Sequence, residues 1–402
     1  MINIVIFNGG RGASTILPIL LDNKDLRVQS IVNAYDDGKS TGEIRDFFEM
    51  LGPSDIRKTQ QLMLPKDNID FISINNIFDY RFSKKLSNEK ILKWMRSEAI
   101  ASSDHFFDFK ITNKDLHESL KLLLKTFLES YTIINTALPE KSLNFKDCSL
   151  MNCLYAGAFI KFKRNIENAA YYFEKIFNLR GSVLPTNIEN KKLVGIRSDG
   201  TLLFSEAEIV ELRSNVEIDR VYLVENYPAR SGFKNTTYIQ KKHYLEIHQS
   251  FVEATERVQR AILDADIIIY APGTQHSSLY PTYLSRGIPS SIVSNTRARK
   301  FFITNIGADY ETPFYKAHDY PAGALRYLNQ GNSREYDIKD YFEYILVNDF
   351  QHGRGKNYVA IDPSELAALK SNIILDNFEL MSSGKHDGSK IVEFILNIYN
   401  RK

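Results

Sequence analysis

The feature of the sequence that most constrains its fold is a pair of short polar loops, each directly after an apolar run. Residues 8–14 contain three glycines and follow the apolar run Ile2–Phe7, whereas residues 36–42 begin with two aspartates and follow an apolar run that ends at Ala34. Apolar runs without polar alternation are typical of strands that a parallel sheet buries on both faces. Such sheets bind ligands at the carboxyl ends of their strands. Both loops are therefore predicted to lie at one ligand-binding edge.

The rest of the chain alternates apolar runs with helical patterns. The run Ile267–Tyr270 and the run at residues 344–347 each predict a strand, and an apolar stripe at residues 116–127 behind Asn113 predicts a capped helix. Two apolar runs flank residues 198–200, a pattern that predicts a β-hairpin. Alternating strands and helices predict an α/β fold with a Rossmann-like, mostly parallel sheet and helices on both faces.

Composition divides the chain into three segments. Residues 83–145 are rich in Lys, Glu and Ser and accommodate two amphipathic helices, so we expect a helical insertion or lid there. We expect residues 1–82 to form the N-terminal half of a Rossmann-like nucleotide-binding domain. Residues 146–402 are expected to complete this domain, with the β-hairpin and a C-terminal helix.

Charge and composition exclude several classes of protein. The 402 residues carry a net charge of +2, which does not favour a protein that attracts nucleic acid through its field. No apolar run approaches the roughly 18 residues of a membrane span, and no signal-peptide pattern opens the chain. We therefore expect a cytoplasmic protein that binds neither nucleic acid nor membrane. The two cysteines, Cys148 and Cys153, are expected to be buried thiols.

The first loop suits a phosphate group. Gly9, Gly10 and Gly12 let backbone amides approach an anion closely, and Ser14 adds a hydroxyl where a helix is predicted to begin. A dinucleotide-binding fingerprint would need a third glycine where Thr15 stands, and no Gly-Lys-Ser/Thr sequence closes a P-loop. The structural alternative is a tight turn that binds no ligand.

The second loop carries paired carboxylates. Asp36 and Asp37 stand at a predicted strand end, where they could act in catalysis, bind Mg²⁺ beside phosphates or contact ribose hydroxyls. Ser40 and Thr41 add hydroxyl donors. A ribose contact is compatible with an NAD(P)-dependent oxidoreductase, and a solvated turn is the structural alternative.

Three further stretches add polar groups to the predicted site. Arg57, two residues after Asp55, could clamp a phosphate with two hydrogen bonds or form a charge pair at a helix start. Asn152 stands in an apolar segment, where a buried amide needs a ligand or a structural hydrogen-bond partner. The loop after another buried strand offers amides and hydroxyls at the same edge from Gly273, Thr274 and Ser277.

These stretches, in this order, resemble the 2-phospho-L-lactate transferase (CofD-like) family, and the resemblance covers the chain outside residues 83–145. Residues 8–14 (N-G-G-R-G-A-S) stand where bacterial members read G-G-G-T-G-x-S. Residues 36–42 (D-D-G-K-S-T-G) resemble D-D-G-G-S-S-G, and residues 53–58 (P-S-D-I-R-K) resemble P-G-D-I-R-N. The form of the second motif is nearer the bacterial gluconeogenesis-factor branch, whose members bind UDP-sugars.

The resemblance implies a transferase that forms a homodimer. Asp36 and Asp37 are the expected catalytic residues, with Asp37 as a ligand of Mg²⁺. Arg11 and Lys39 depart from the family motifs and add cations beside the expected phosphates. The residues expected to bind nucleotide and phosphate are Gly9, Gly10, Arg11, Gly12, Ser14, Ser40, Thr41, Asp55, Arg57, Asn152, Gly273, Thr274 and Ser277.

The loops and the resemblance are compatible with three functions. The first is a transferase that moves a phosphate-linked group from a nucleoside-diphosphate donor to a small hydroxyl acceptor and releases a nucleoside monophosphate. The second is a non-catalytic regulatory protein that binds a UDP-sugar. The third is an NAD(P)-dependent oxidoreductase, against which the missing third glycine counts.

Overall fold

The fold is defined for residues 1–10, 12–330, 335–349 and 357–401, which a computed structural model describes. The strands are β1 (Ile2–Phe7), β2 (Leu26–Val32), β3 (His105–Phe106), β4 (Phe109–Lys110), β5 (Ser182–Pro185), β6 (Lys192–Arg197), β7 (Leu202–Leu203), β8 (Ile218–Val224), β9 (Ile267–Tyr270), β10 (Arg299–Ile303), β11 (Tyr344–Asn348) and β12 (Asn372–Asp376). The helices are α1 (Leu17–Asp22), α2 (Lys39–Phe48), α3 (Ser54–Leu62), α4 (Phe71–Asp79), α5 (Asn88–Ile100), α6 (Lys114–Ala137), α7 (Leu150–Lys161), α8 (Ile166–Ile176), α9 (Glu206–Glu211), α10 (Tyr238–Ile247), α11 (Glu256–Asp264), α12 (Tyr280–Tyr283), α13 (Ile288–Ser294), α14 (Asp319–Asn329), α15 (Ile338–Tyr341), α16 (Pro363–Ala368) and α17 (Gly388–Asn400). A 3₁₀ helix spans Arg230–Phe233 and a π-helical segment spans Gln275–Leu279.

Seven parallel strands form the central sheet in the order β12-β11-β10-β9-β1-β2-β5. This is the doubly wound order, in which the first strand of the sheet lies in the middle and the fourth strand lies beside it. β1 pairs in parallel with β2 on one side and with β9 on the other. The direction of winding reverses between β1 and β9, so a crevice opens at their carboxyl ends. The predicted α/β, Rossmann-like fold class is confirmed.

The central strands β1 and β9 are buried where they are apolar, over residues 4–7 and 267–270. Residues 4–7 of β1 and all residues of β9 are at most 1% exposed. Their side chains form one core with apolar residues of the covering helices, among them Leu20 of α1 and Ile262 of α11. Burial on both faces explains why these strands lack the polar alternation of a half-exposed strand.

The strands β1 and β9 have their predicted bounds, whereas β2 and α2 differ. β2 ends at Val32, before its predicted end, because the side chain of Asn33 accepts a hydrogen bond from the Tyr35 N–H at 2.9 Å and turns the chain. α2 already begins at Lys39, within the stretch predicted as a loop, with Gly38 in extended conformation before it. The second loop is therefore shorter than the sequence indicates.

Residues 83–145 contain the two predicted amphipathic helices, α5 and α6. The side chain of Asn113 accepts a hydrogen bond from the Leu116 N–H at 3.1 Å, which confirms the predicted cap of α6. α6 lies so close to α7 that a Cβ on Gly157 would lie 2.1 Å from the carbonyl oxygen of Leu123. Its buried side chains join the core of the central sheet. The boundaries of the three segments and the role of a lid stay predictions.

A small antiparallel sheet, in the order β7-β6-β8, lies outside the central sheet. The predicted hairpin is confirmed, because β6 pairs with β7 and Gly200 adopts φ +84° in the turn between them. Leu245 of α10 packs into the separate small core of this sheet. The sheet matters for function because α9, which follows β7, brings Glu206 to the central crevice.

Two expectations from composition concern the cysteines and the membrane. Cys148 and Cys153 are free and buried, as predicted, and their Sγ atoms lie 3.9 Å apart. No helix in the described ranges combines the length and the apolar composition that a transmembrane helix needs.

Candidate functional site

A cleft of about 850 Å³ opens at the carboxyl ends of β1, β2, β9 and β10. Its volume lies within the range of roughly 300–1,000 Å³ that is usual for small-molecule sites. The residues predicted from sequence that line the cleft are Gly9, Gly12, Ser14, Asp36, Thr41, Asp55, Arg57, Gly273, Thr274 and Ser277. The predicted residues that are not in its wall are Gly10, Asp37, Ser40 and Asn152. Arg11 lies outside the described residues.

The glycine loops after β1 and β9 touch each other at the crevice. A Cβ on Gly12 would lie 2.0 Å from the carbonyl oxygen of Pro272 and 3.1 Å from the Cα of Gly273, so only glycine allows this approach. Asn305, after β10, holds the loop after β9 from both sides. Its Oδ1 accepts a hydrogen bond from the Gly273 N–H at 2.9 Å, and its Nδ2 donates to the Gly273 carbonyl at 3.0 Å. The loops after β1, β9 and β10 thus form one continuous surface at the bottom of the cleft.

The first loop is shaped from inside the protein. Asn8 accepts a hydrogen bond from the Ala13 N–H at 3.2 Å through Oδ1 and donates to the Thr59 hydroxyl at 3.1 Å through Nδ2. Gly10 adopts φ +51°, and a Cβ there would lie 2.6 Å from Oδ1 of Asp55. This glycine therefore permits the turn and the close approach of a carboxylate, although it does not line the cleft.

Asp36 is oriented by a fully buried arginine that sequence reasoning missed. Arg45 is 0% exposed, and its Nη1 donates to the carbonyl oxygens of Tyr35 at 2.6 Å and Asp36 at 3.3 Å. The Oδ1 atom of Asp36 accepts a hydrogen bond from the Gly38 N–H at 3.0 Å. The Oδ2 atom lies 3.7 Å from Nζ of Lys58, which lines the cleft. Asp36 is thus the acid of the second loop that faces the cleft.

Asp37, predicted to bind Mg²⁺, is instead bound to the start of α9. Its Oδ1 accepts a hydrogen bond from the Ala207 N–H at 2.7 Å, and its Oδ2 accepts from the Glu206 N–H at 3.3 Å and from the Tyr227 hydroxyl. The Glu206 carboxylate accepts a hydrogen bond from the Asp37 N–H at 3.2 Å in return. A carboxylate at a helix N-terminus satisfies amides that have no partner within the helix. The geometry therefore gives Asp37 a structural contact and leaves the cleft to Asp36.

Arg57 and Asn152 form a buried pair behind the cleft. The Nε atom of Arg57 donates to Oδ1 of Asn152 at 3.1 Å, and its Nη1 donates to the Phe78 carbonyl at 3.3 Å. The Nδ2 atom of Asn152 donates to the hydroxyls of Ser40 at 3.3 Å and Thr41 at 3.4 Å. Burial lowers the pKa of Arg57, which is only 7% exposed. Asn152 therefore links the second loop to the guanidinium, and its buried amide has the structural hydrogen-bond partners that the sequence left as one alternative.

A cluster of acids surrounds Lys58 in the cleft. Its Nζ lies 3.3 Å from Oδ1 of Asp55 and 3.7 Å from Oδ2 of Asp36. Burial raises the pKa of Asp55. Burial, followed by the charges of Asp36 and Asp37, raises the pKa of Glu206 well above its usual range. The cleft thus holds a carboxyl group that favours its protonated form beside carboxylates that are less shielded from water.

The loop after β9 is tied down by a buried glutamate. Glu311 accepts hydrogen bonds from the N–H groups of His276 at 2.8 Å and Ser277 at 3.0 Å, and from the Ser277 hydroxyl at 2.5 Å. Burial raises the pKa of Glu311 to about 7. Thr274 donates to the Ser278 hydroxyl at 3.0 Å. Ser277 lines the cleft as predicted from its loop, but its donors are directed to Glu311.

Four residues complete the site without having been predicted as part of it. Asn305 and Glu311 follow β10, and their contacts with the loop after β9 are visible only in the folded chain. Arg45 and Glu206 carry no local signal, because their contacts join segments far apart in the sequence, such as Arg45 with the Lys191 carbonyl at 2.8 Å. Contacts of this kind become visible only in the folded chain.

The doubly wound sheet, with a polar cleft at the point where its winding reverses, defines an α/β protein of the Rossmann-like class. Within that class, the chain belongs to the family described as 2-phospho-L-lactate transferase CofD, whose profile matches residues 4–379. The resemblance based on the motifs is therefore confirmed.

The similarity to known proteins extends along nearly the whole chain. The chain is 24% identical over 404 residues to the gluconeogenesis factor of Halalkalibacterium halodurans, covering 98% of this chain and 95% of the relative. A crystal structure of a UPF0052 family member from Bacillus halodurans matches with a TM-score of 0.66 and 22% identity, covering 98% of this chain and 100% of that chain. The likeness to this structure shows a shared fold.

Proposed function

We propose that this protein binds a nucleoside-diphosphate donor in the cleft and transfers a phosphate-linked group from it to a small hydroxyl acceptor. The observation that carries the proposal is the convergence of the loops after β1, β2 and β9 on one cleft that also contains Arg57. Membership of a transferase family supports this function. It does not support an oxidoreductase, whose fingerprint would also need a glycine at Thr15.

Phosphate binding depends on backbone amides and three cations. The floor formed by Gly9, Gly12 and Gly273 lets the donor approach the backbone without side chains in between. Arg57 lines the cleft with the part of its guanidinium that its protein contacts leave open, and guanidinium groups bind phosphate oxygens in pairs. The ammonium groups of two lysines, Lys39 and Lys58, add positive charge at the wall.

The reaction requires positioning and charge neutralisation rather than a protein nucleophile. The acceptor hydroxyl attacks the phosphorus atom in line, the new P–O bond forms, and the P–O bond to the nucleoside monophosphate breaks. Asp36, which faces the cleft, takes the proton of the attacking hydroxyl. Glu206, with its raised pKa, supplies a proton to the departing phosphate.

Asp36 and Asp55 are the residues that would hold Mg²⁺. Magnesium is bound in proteins by one or two carboxylates together with substrate phosphates and water. The Lys58 ammonium contacts both carboxylates here, at 3.7 and 3.3 Å, so it would have to leave before an ion took its place. In the described residues, no group of three or more His, Cys, Asp or Glu side chains could hold a metal ion. When bound, the ion would neutralise charge on the diphosphate.

Binding without turnover is the second candidate, and Lys58 favours it. Its ammonium lies 3.7 Å from Oδ2 of Asp36 and 3.3 Å from Oδ1 of Asp55, so the carboxylate that would accept the proton is already engaged in an ion pair. A relative is named as a gluconeogenesis factor rather than as an enzyme. In this case the cleft would hold a UDP-sugar and the protein would act on a partner.

Mass spectrometry of donor and product distinguishes the two candidates. The protein is incubated with nucleoside-diphosphate-linked donors, hydroxyl acceptors and Mg²⁺. Turnover releases nucleoside monophosphate, and Asp36→Asn lowers its rate by roughly 10²–10⁴-fold, the usual loss of a general base. Asp46→Asn is the matched control, since Asp46 lies on α2 outside the cleft and pairs with Lys192 at 2.9 Å.

Three outcomes decide between the proposals. Release of monophosphate that depends on Asp36 supports the transferase. Binding of a UDP-sugar that is recovered intact under all conditions contradicts catalysis and supports the second candidate. Absence of both binding and turnover across the panel contradicts both.

A further inference from the structure

A second cavity, of about 700 Å³, lies at the opposite edge of the central sheet. Asn3 and Ser182 stand at the amino-terminal ends of β1 and β5, and both contribute to its wall together with Gln29 of β2, which pairs with Ser182. α8 and α11 complete the cavity. β1 therefore runs from this cavity to the cleft at Gly9, and the two cavities share no lining residue.

Positive charge is concentrated in this cavity. Its acidic lining residues are Glu174 and Asp264, and burial raises the pKa of Glu174. The whole chain carries a net charge of only +2, so the excess is local. The cationic lining residues, which define the basic cavity, are Arg27, Lys175, Arg257, Arg260 and Arg297.

Part of this charge is not used by the fold. Within the described ranges, the charged groups of Arg27, Lys175 and Arg257 form no hydrogen bond and no ion pair within 4.0 Å. Lys175 and Arg257 lie instead against the ring of Tyr171, at 5.0 and 4.7 Å from its centroid. Tyr171 is 41% exposed and lines the cavity. Glu174 attracts Arg27, Lys175 and Arg257. The five cations of the cavity still outnumber its two acids, so an anion that binds between the cations is stabilised.

We infer that the basic cavity is a second binding site, for a small molecule that carries two or more phosphate groups. Arginine binds phosphate oxygens with two parallel hydrogen bonds, and several arginines in one cavity match several phosphates. The volume suits a ligand of nucleotide size. The exposed ring of Tyr171 adds an apolar surface beside the cations. An acidic protein segment is a different class of ligand, which the experiment below separates.

Titration calorimetry on the full chain with inorganic tripolyphosphate tests the site, because this probe carries the charge without a nucleoside. The double variant Arg27→Ala/Arg257→Ala weakens binding at the basic cavity by at least about tenfold, the loss expected for one or more charge-assisted hydrogen bonds. Arg286→Ala leaves it unchanged. Arg286 is a matched control because it stacks on Phe251 at 4.2 Å and lines neither cavity.

The outcomes separate this site from the cleft. A binding event that persists in Arg57→Ala and is lost in Arg27→Ala/Arg257→Ala supports the basic cavity, whatever happens at the cleft. Unchanged tripolyphosphate affinity in the double alanine variant overturns it. Tighter binding of polyglutamate than of tripolyphosphate at this site overturns the phosphate assignment. If the double alanine variant fails to fold, Arg257→Lys is measured. This substitution keeps the positive charge but loses the two parallel hydrogen bonds of a guanidinium group, so binding should weaken severalfold.

Discussion

At the scale of single residues, the cleft depends on how one buried guanidinium is oriented. Arg57 is held by the Asn152 side chain and the Phe78 carbonyl, and Asn152 is held in turn by Ser40 and Thr41 of the second loop. Asn152 is therefore a positioning residue that acts through Arg57. Its side-chain amide accepts a hydrogen bond from Arg57 and donates to two hydroxyl groups at once, which an apolar side chain cannot do.

Asn152→Ala tests this positioning role. Loss of the hydrogen bond leaves Nε of Arg57 buried without a partner, which costs ~1–3 kcal/mol. We expect about tenfold weaker binding of a nucleoside diphosphate, measured by calorimetry. In an Arg57→Lys background, which retains the charge but lacks the Nε contact, the same substitution should cost much less. Additive effects of the two substitutions would contradict the account.

Lys39 combines an unusual backbone conformation with a charge at the cleft. It adopts φ +48°, a conformation that costs a non-glycine residue ~1 kcal/mol, and it lines the cleft. Lys39→Gly should leave the free energy of unfolding unchanged or slightly higher and should weaken diphosphate binding, with a smaller dependence on salt. Lys39→Asn, which tolerates this conformation without charge, should weaken binding equally. Full binding by both variants would exclude a role for the ammonium group.

At the scale of secondary-structure elements, sequence patterns predict the buried strands best. β1 is apolar at every position except Asn3 and β9 is apolar throughout, so their bounds are readable from the sequence. β12 is only half-buried and short, and β8 mixes charged with apolar residues, so neither carries a clear pattern. The start of α2 is hidden because its first turn consists of polar and small residues that also suit a loop.

The candidate site, like the secondary structure, is predictable from the sequence only in part. Both glycine loops are predictable because parallel strands bring their carboxyl ends to one edge. The contact of Asp37 with α9 is not, because it joins the second loop to residues about 170 positions away, as in the bond to Ala207. The position of Glu206 in the cleft is unpredictable for the same reason, because its contact with Asp37 also joins distant parts of the sequence. Sequence reasoning found the loops and their acids but could not distinguish which acid faces the cleft.

Asp37→Ala tests the structural contact between the second loop and α9. Its carboxylate accepts from two backbone amides of α9, and loss of such a cap costs ~0.5–2 kcal/mol. We expect a lower unfolding free energy in urea, with Asp46→Ala, which removes only an exposed ion pair with Lys192, as the control that leaves it nearly unchanged. A variant of Asp37 with full stability but with loss of Mg²⁺-dependent nucleotide binding would restore the metal-ligand assignment.

At the scale of the whole molecule, two buried histidines make stability depend on pH. Burial lowers the pKa of His276 to about 3 and that of His386 to about 4, below the usual 6.5. Below pH 6.5 the unfolded chain takes up protons that the folded chain does not, so the free energy of unfolding falls as the pH falls toward 4.

His276→Phe should reduce this dependence on pH. Urea unfolding at pH 7.5 and at pH 5 should show a loss of stability in the wild type that is smaller in the variant by about 2 kcal/mol, since each pKa unit corresponds to ~1.4 kcal/mol. His243→Phe, at an exposed position of α10, is the control that retains the full dependence. The same dependence on pH in His276→Phe as in the wild type would contradict the burial of a neutral imidazole.

The two edges of the central sheet organise the molecule as a whole. The cleft stands at the carboxyl ends of the strands and the basic cavity at their amino ends, with β1 connecting them. The homodimer implied by the family resemblance stays a prediction.

A crystal structure with a bound nucleoside diphosphate and Mg²⁺ tests the central claim most directly. We expect the diphosphate to lie between the loops after β1 and β9, within hydrogen-bond distance of the Arg57 guanidinium, with Asp36 beside it. Phosphates bound away from both glycine loops, with the cleft filled only by water, would contradict the account.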